Sequence, residues 1–200
     1  IASFMYRLIE VNKTDRVLDA TCGSGTFLVK SMSNMIKEAG GVNASDVIDI
    51  KTNHLFGIEL YRKVYALACA NMLIHKDGKT NLEQLDSQSD EAAAWIKSKD
   101  ITKVLMNPPY ERKYGCMKIV KNVLDNVPKG IKCAFILPDK KLEKDGGKKL
   151  LANHTLTHII KLPENLFFGV GVKTSIFVFE TGRPQNDRNI KGYYIEEDGP

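Results

Sequence analysis

Asn107-Pro108-Pro109-Tyr110 follow the apolar run Val104-Leu105-Met106, which has the form of a short buried strand. At a proline usage of about 5%, adjacent prolines arise at roughly one position in 400. A residue before proline is driven out of the helical region, and each proline has a fixed φ. The four residues therefore make a stiff corner at a strand end, presenting one amide, one free carbonyl and one aromatic ring. Such a corner suits a planar ring bearing an exocyclic amine. Two oxygens, the Asn107 side chain and the Pro108 carbonyl, would accept the two amine protons, and Tyr110 would stack on the ring. The plain alternative is a proline-rich turn that closes a strand.

A second group of polar residues lies upstream. Asp19-Ala20-Thr21-Cys22-Gly23-Ser24-Gly25-Thr26 runs from a strand into a helix. Gly23 and Gly25 allow a ligand close to the backbone, and Ser24 or Thr26 is positioned to cap the helix. A dinucleotide fits this loop poorly. The third glycine of G-x-G-x-x-G would fall at Leu28, and Asp19 would repel a pyrophosphate. A ligand with a cationic end fits better, and S-adenosylmethionine carries an ammonium and a sulfonium. Glu59 is expected to accept from ribose hydroxyls and Asp86 from the adenine amine, with Asp90 as a competitor for Asp86. Thr21, Gly23, Ser24, Gly25 and Thr26 complete the expected cofactor site.

The elements that position these residues alternate. Strands are expected at Arg16–Asp19, His54–Glu59, Leu82–Asp86, Lys103–Met106 and Lys132–Leu137. Helical spacing recurs at Phe4, Met5, Leu8 and Ile9, at Leu28 to Ala39, at Val64 to Met72, at Ala92 to Lys97 and at Met117 to Val127. A looser helix spans Leu142 to Leu150 around Gly146-Gly147. Thr155–Leu162 and Ser175–Phe179 follow with no helix between them, so they can pair antiparallel. This pattern predicts an α/β chain of Rossmann-like form: a mostly parallel sheet with helices on both faces and an antiparallel strand near the C-terminal edge. Residues 1–182 are assigned to one catalytic domain. Residues 183–200 are assigned to a polar tail in which Ile190–Ile195 can add an edge strand. Asp19, Glu59, Asp86 and Asn107 would all sit at carboxyl ends of strands, where open parallel sheets bind ligands.

Composition sets limits. The 200 residues carry a net charge of +5, with 43% hydrophobic and 26% charged residues. That permits a nucleic-acid partner without requiring one. No apolar stretch approaches the roughly 20 residues needed to span a bilayer. Cys22, Cys69, Cys116 and Cys133 form no C-x-x-C and are expected to be reduced thiols of a cytoplasmic protein. His154 and His158 lie four apart on extended sequence with no third ligand nearby, so no metal is expected.

Taken in order, these segments resemble the gamma-class amino methyltransferases acting on adenine N6 in DNA, and more narrowly the modification (M) subunit of type I restriction-modification systems. The resemblance rests on Asp19 to Leu28, Gly57-Ile58-Glu59, Asp86-Ser87 and Asn107 to Tyr110. Ala134 to Pro138, Leu166-Phe167-Phe168-Gly169 and Lys173-Thr174 extend it. It implies S-adenosyl-L-methionine as methyl donor, double-stranded DNA as substrate, a target adenine flipped out of the duplex, and separate specificity and restriction subunits. Phe168 would form either a second wall for the base or a plain core aromatic, and Arg112 and Lys113 would either reach phosphates or lie on a solvated loop. Two departures stand out. Ala20 replaces a frequent proline. Ile1 to Met5 resembles the stretch after the family's Phe-x-x-Pro cofactor segment, so part of the cofactor pocket is expected to lie upstream of this chain. Methyltransferases of release-factor glutamine share the Asn-Pro-Pro-Tyr corner and are the nearest alternative, followed by a non-catalytic DNA-binding scaffold.

Overall fold

The structure is a computed structural model that describes residues 1–75, 81–143, 145–163 and 172–196. In chain order the elements are α1 (Ala2–Leu8), β1 (Val17–Asp19), α2 (Thr26–Glu38), α3 (Val47–Asn53), β2 (Leu55–Ile58), α4 (Arg62–Ile74), β3 (Asn81–Glu83), α5 (Asp90–Lys97) and β4 (Lys103–Met106). There follow α6 (Cys116–Asn126), β5 (Lys132–Pro138), α7 (Asp145–Leu151), β6 (Thr155–Lys161), β7 (Thr174–Glu180) and β8 (Lys191–Tyr194). The strands form one sheet in the order β3-β2-β1-β4-β5-β7-β6-β8.

From β3 to β5 every pairing is parallel. β7 then inserts antiparallel between β5 and β6, and β8 closes the edge parallel to β6. The antiparallel pairing of the two late strands follows from their direct succession, because a parallel return needs a crossover element.

Side chains of the central strands alternate between two cores, as the period of two requires. Leu18, Phe56, Val104, Met106 and Phe135 pack with Ile96, Val120, Val123 and Leu124 on one face. Val17, Leu55, Leu105, Ala134 and Ile136 pack with Met5, Leu28, Met35, Ile50 and Met72 on the other. Helices α5 and α6 thus cover one face, and α1 to α4 the other. Among the described residues no helix is long and apolar enough to cross a membrane.

Two local features escaped the sequence. Helix α3 is only seven residues, buries only Val47 and Ile50, and has no side-chain cap, so its apolar period is too short to read. The segment after Thr181 is polar, yet it is pinned. Gln185 accepts from Leu156 N (2.6 Å) and donates to Leu156 O (3.2 Å), which leads the chain into β8.

The amino ends of the strands are stitched together. Arg16 donates to the Lys99 and Asn53 carbonyls and lies 4.6 Å over the Phe56 ring, while Thr102 joins Arg16 N to Asp15. The opposite ends of the same strands carry the loops.

Gly57 in β2 marks where α2 and β3 come closest to the strand. A Cβ there would sit 2.5 Å from Leu82, 2.9 Å from Leu28 and 3.1 Å from Cys22. All three neighbours are buried, so none can swing into solvent. Gly57→Ala is expected to destabilise the protein by about 1–3 kcal/mol through overpacking. An unchanged urea midpoint would show that the packing relaxes freely.

Candidate active site

The carboxyl ends of β1, β2, β3 and β4 surround a cavity of about 610 Å³, lined among others by Thr21, Glu59, Asp86, Asn107 and Pro109. The β1–β2 register sets Asp19 beside Gly57, and Glu59 follows two residues on. Leu18 pairs with Val104, which places the end of β4 and its corner on the other side of β1.

The loop after β1 is held by its neighbours rather than by a helix cap. Cys22 N donates to Ile58 O (3.0 Å) and Gly23 N to Glu59 Oε2 (3.1 Å). Gly23 has φ +55°, and among the described residues no atom lies within 4 Å of a Cβ placed there, so the chain is left-handed with room beside it. Capping departs from the sequence expectation. Gly25, at φ 85°, is itself the N-cap of α2, with no side-chain cap bond. Ser24 and Thr26 instead bond to each other (3.1 Å). They line a separate cavity of about 530 Å³ with Ser3, Lys30, Asn71 and His75. With Gly25 itself in the capping position, the two side chains are left to each other and to this second cavity.

The carboxylates are placed unequally. Glu59 accepts from Gly23 N through Oε2 and from Tyr61 N (2.9 Å) through Oε1, and it lines the cavity. Asp86 also lines it, and its Oδ1 accepts from Gln88 N (2.9 Å). Asp90 lies in the first turn of α5 and does not line the cavity. Asp19 is 2% exposed beneath the loop, and its Oδ1 accepts from Thr21 N (3.0 Å). Burial pushes the Asp19 carboxyl up to about 7. The Thr21 bonds oppose this shift and the Glu59 charge adds to it.

Asn107 lines the cavity, whereas Pro108 is buried. Among the described residues no hydrogen bond reaches the Pro108 carbonyl. Tyr110, expected as a stacking face, is placed beside the cavity lining rather than in it. Its ring packs against the cluster of Met5, Leu28 and Leu105, outside the residues that line the cavity. Its hydroxyl donates to Asn107 Oδ1 (2.6 Å), and burial raises its pKa. The ring buries its apolar surface in that cluster, and the hydroxyl finds its acceptor three residues back. Lys141 Nζ donates to the Tyr110 carbonyl (3.3 Å), which holds the corner from the β5 side.

The sequence named Ser87 only as part of the Asp86-Ser87 motif, and it carried no signal for the other residues that organise the cavity's loops. Ser87 Oγ donates to the Ala20 carbonyl, and Asn122 Nδ2 donates to the carbonyls of Ser87 and Ser89, tying the loop after β3 to both β1 and α6. Tyr61, Tyr114 and Gln88 line the cavity as well. Polar residues in loops have no period to reveal which neighbour they meet. Lys113 also lines the cavity and pairs with Glu111 (2.8 Å). Phe168 and the Arg112 side chain lie outside the described residues. His154 is committed to Asp125 (2.8 Å) and Gly182 N (3.1 Å), and His158 stacks on Tyr193.

The family model described as N-6 DNA Methylase matches residues 1–136 and 120–198. RM.BcgI of Heyndrickxia coagulans, named a type II restriction enzyme and methyltransferase, is 34% identical over the whole of this chain and 33% of its own. The chain spans 33 to 42% of the length of the curated relatives it matches first. In structure, a modification subunit of a putative type I restriction enzyme from Vibrio vulnificus superposes with a TM-score of 0.79 at 21% identity, over 100% of this chain and 46% of that one. A putative class I S-adenosylmethionine-dependent methyltransferase from Listeria monocytogenes gives 0.70 at 17%, over 98% and 63%. The sheet with its mixed edge is the Rossmann-like fold of such methyltransferases. The chain belongs to the N-6 DNA methylase family.

Proposed function

We propose that residues 1–182 form the catalytic domain of a DNA adenine-N6 methyltransferase of a restriction-modification system, with residues 183–200 as its tail. The carrying observation is that Asn107 and the carboxylates Glu59 and Asp86 line one cavity of about 610 Å³, a volume suited to a small cofactor and one base. S-adenosyl-L-methionine fits the donor set. The cavity is lined by hydrogen-bond acceptors, Gly23 leaves room beside the loop, and Asp19 supplies a buried carboxyl under it. When bound, this cofactor supplies an electrophilic methyl on sulfur.

In this mechanism the chain's residues bind, orient and preorganise. Asp19 and Thr21 take the amino-acid end, the Gly23–Gly25 loop leaves it room, and Glu59 and Asp86 accept from the ribose and the adenine. Ser24 and Thr26 support the loop from its far side. Asn107 Oδ1 and the Pro108 carbonyl accept the two protons of the target amine and aim its lone pair at the methyl. Adenine N6 is a weak nucleophile, since its lone pair is delocalised into the ring, and two acceptors favour the pyramidal nitrogen. The Tyr110 hydroxyl orients the amide by bonding Oδ1 and must yield one lone pair to the incoming amine, of which a carbonyl oxygen has two. The methylated nitrogen is cationic and loses its proton to solvent.

Double-stranded DNA is the proposed substrate, with the adenine flipped out. The type I character of the Vibrio vulnificus neighbour favours a separate specificity subunit and a restriction subunit as partners. The name of RM.BcgI joins both activities in one enzyme, which makes a fused restriction function the alternative arrangement. A cytoplasmic location is part of the same proposal.

Asn107→Ala in the full-length protein is expected to lower methyl transfer to adenine-containing duplex by about 10²–10³-fold or more, the usual loss for one preorganised polar group. Cofactor affinity should change little. Turnover near the wild-type rate, or label entering a protein amide instead of DNA, overturns the assignment.

Asp19 gives a second expectation. Its carboxyl titrates near 7 when folded and at about 3.9 when unfolded. The neutral Asp19 acid contributes its full stabilisation to the protein below about pH 4, where both states are protonated, and this contribution is lost as pH rises through 7. Asp19→Asn should therefore gain stability relative to the parent as pH rises from 4 to 8 in thermal melts. A cationic cofactor end favours the ionised carboxyl, so cofactor affinity should climb with pH up to about 7 and level off, and Asp19→Asn should flatten the climb. A pH-independent affinity in the parent protein would remove Asp19 from the cofactor site.

A further inference from the structure

We propose that Tyr114 is a positioning residue: it closes on Tyr61 at the cavity wall and so couples occupation of the cofactor end to the setting of the Asn107 corner. This rests on the function proposed above.

Both residues line the same cavity, one from the loop after β2 and the other from the turn after the β4 corner. Tyr61 stands two residues after Glu59, and its N–H is held by Glu59 Oε1 at 2.9 Å. Tyr114 ends the short 3-10 turn Arg112–Tyr114 that follows the corner. The rings meet edge to face, with centroids 6.2 Å apart at 84°, a favoured geometry for aromatic pairs. Interaction of the two phenols raises the pKa of Tyr61 and lowers that of Tyr114, and Lys113 adds to the latter. The Lys113 ammonium lies 4.7 Å over the Tyr114 ring.

The backbone of Tyr114 is fixed to a third wall. Its carbonyl accepts from Gln88 Nε2 (3.2 Å), and the Gln88 N–H is held in turn by Asp86 Oδ1. Gly115 follows at φ +60°, and a Cβ there would lie 2.5 Å from Gln88 Oε1. The Gln88 side chain thus fills the space a larger residue would need. Tyr114 is therefore tied to Glu59 through Tyr61 and to Asp86 through Gln88. Seven residues back along the chain, across the stiff Pro108-Pro109 pair, lies Asn107.

Tyr61 remains 50% exposed, so the ring pair is a surface contact that a ligand can part or complete. Glu59, Asp86 and both rings line the same cavity, so a nucleoside held by the two carboxylates lies beside the rings. Once inside, its flat base adds an apolar face beneath them. Binding there favours the closed pair, and the closed pair holds the segment from 111 to 115 against Gln88, which fixes the far end of the corner. The same linkage runs backwards: a base seated on Asn107 must tighten cofactor binding by the same factor.

The test uses the full-length protein in its complete methylating complex. The affinity of S-adenosylhomocysteine is measured by calorimetry with and without an adenine-containing duplex that the complex methylates. The affinity of that duplex is measured by anisotropy with and without S-adenosylhomocysteine. The wild type should show reciprocal tightening of about 5-fold or more, the lower end of ordinary allosteric coupling. Tyr114→Ala and, independently, Tyr61→Ala should bring the factor below about 2-fold, while Tyr114→Phe, which keeps the ring, should retain most of it. Coupling that survives both alanine variants, or is lost equally in Tyr114→Phe, overturns the inference. A wild-type complex that methylates DNA yet shows no coupling also overturns it and leaves the proposed function standing. A complex that neither binds cofactor nor methylates adenine removes both.

Discussion

The parallel pairing of β1 between β2 and β4 is the constraint on which the site depends. Val17 lies opposite Leu55 on one side and Lys103 on the other, and Leu18 opposite Phe56 and Val104. Parallel strands in register end together, so three loops leave the sheet at the same level. Alternate side chains are locked into two different apolar cores. A slip of one residue would exchange the two faces. The positions of Asp19, Glu59 and Asn107 therefore follow from burial of Val17, Leu18, Leu55, Phe56, Val104 and Leu105, none of which touches the cavity.

The loops are then fixed mostly by hydrogen bonds to backbone. Glu59 holds the N–H groups of Gly23 and Tyr61, Ser87 holds the Ala20 carbonyl, and Asn122 reaches the carbonyls of Ser87 and Ser89. Such bonds restrict geometry at small net energetic cost, because each buried polar group is satisfied. Asp19 is the exception in electrostatic terms. Its burial favours the neutral acid, which stores a preference for a cation in the ligand-free site.

The late strands act on the same corner from behind. β7 pairs with β5 over its full length, from Lys132–Glu180 to Pro138–Thr174. Ser175 donates to Asp139 and Lys161 pairs with it, which steadies the turn after β5. Lys141 in that turn reaches the Tyr110 carbonyl. The antiparallel edge of the sheet thus reinforces a corner made by its parallel half.

Much of this was written in the sequence. Apolar runs of buried strands, helical spacing and the two prolines are local signals, because φ restriction and burial act on single residues and their near neighbours. They sufficed for the succession of strands and helices, for the strand before the Asn107 corner and for Asp19 and Glu59 at the ends of β1 and β2, whereas β3, expected to run to Asp86, ends at Glu83 and leaves Asp86 in the loop beyond it. What tertiary structure alone decided is where side chains with several possible partners settle. Tyr110 turned to the Met5 and Leu28 cluster, Ser24 and Thr26 faced a second cavity, Asp19 sank beneath its own loop, and Tyr61 met Tyr114 across 53 positions of chain. Each outcome depends on which surfaces the packed sheet and helices bring near. That information is non-local, and no spacing along the chain carries it.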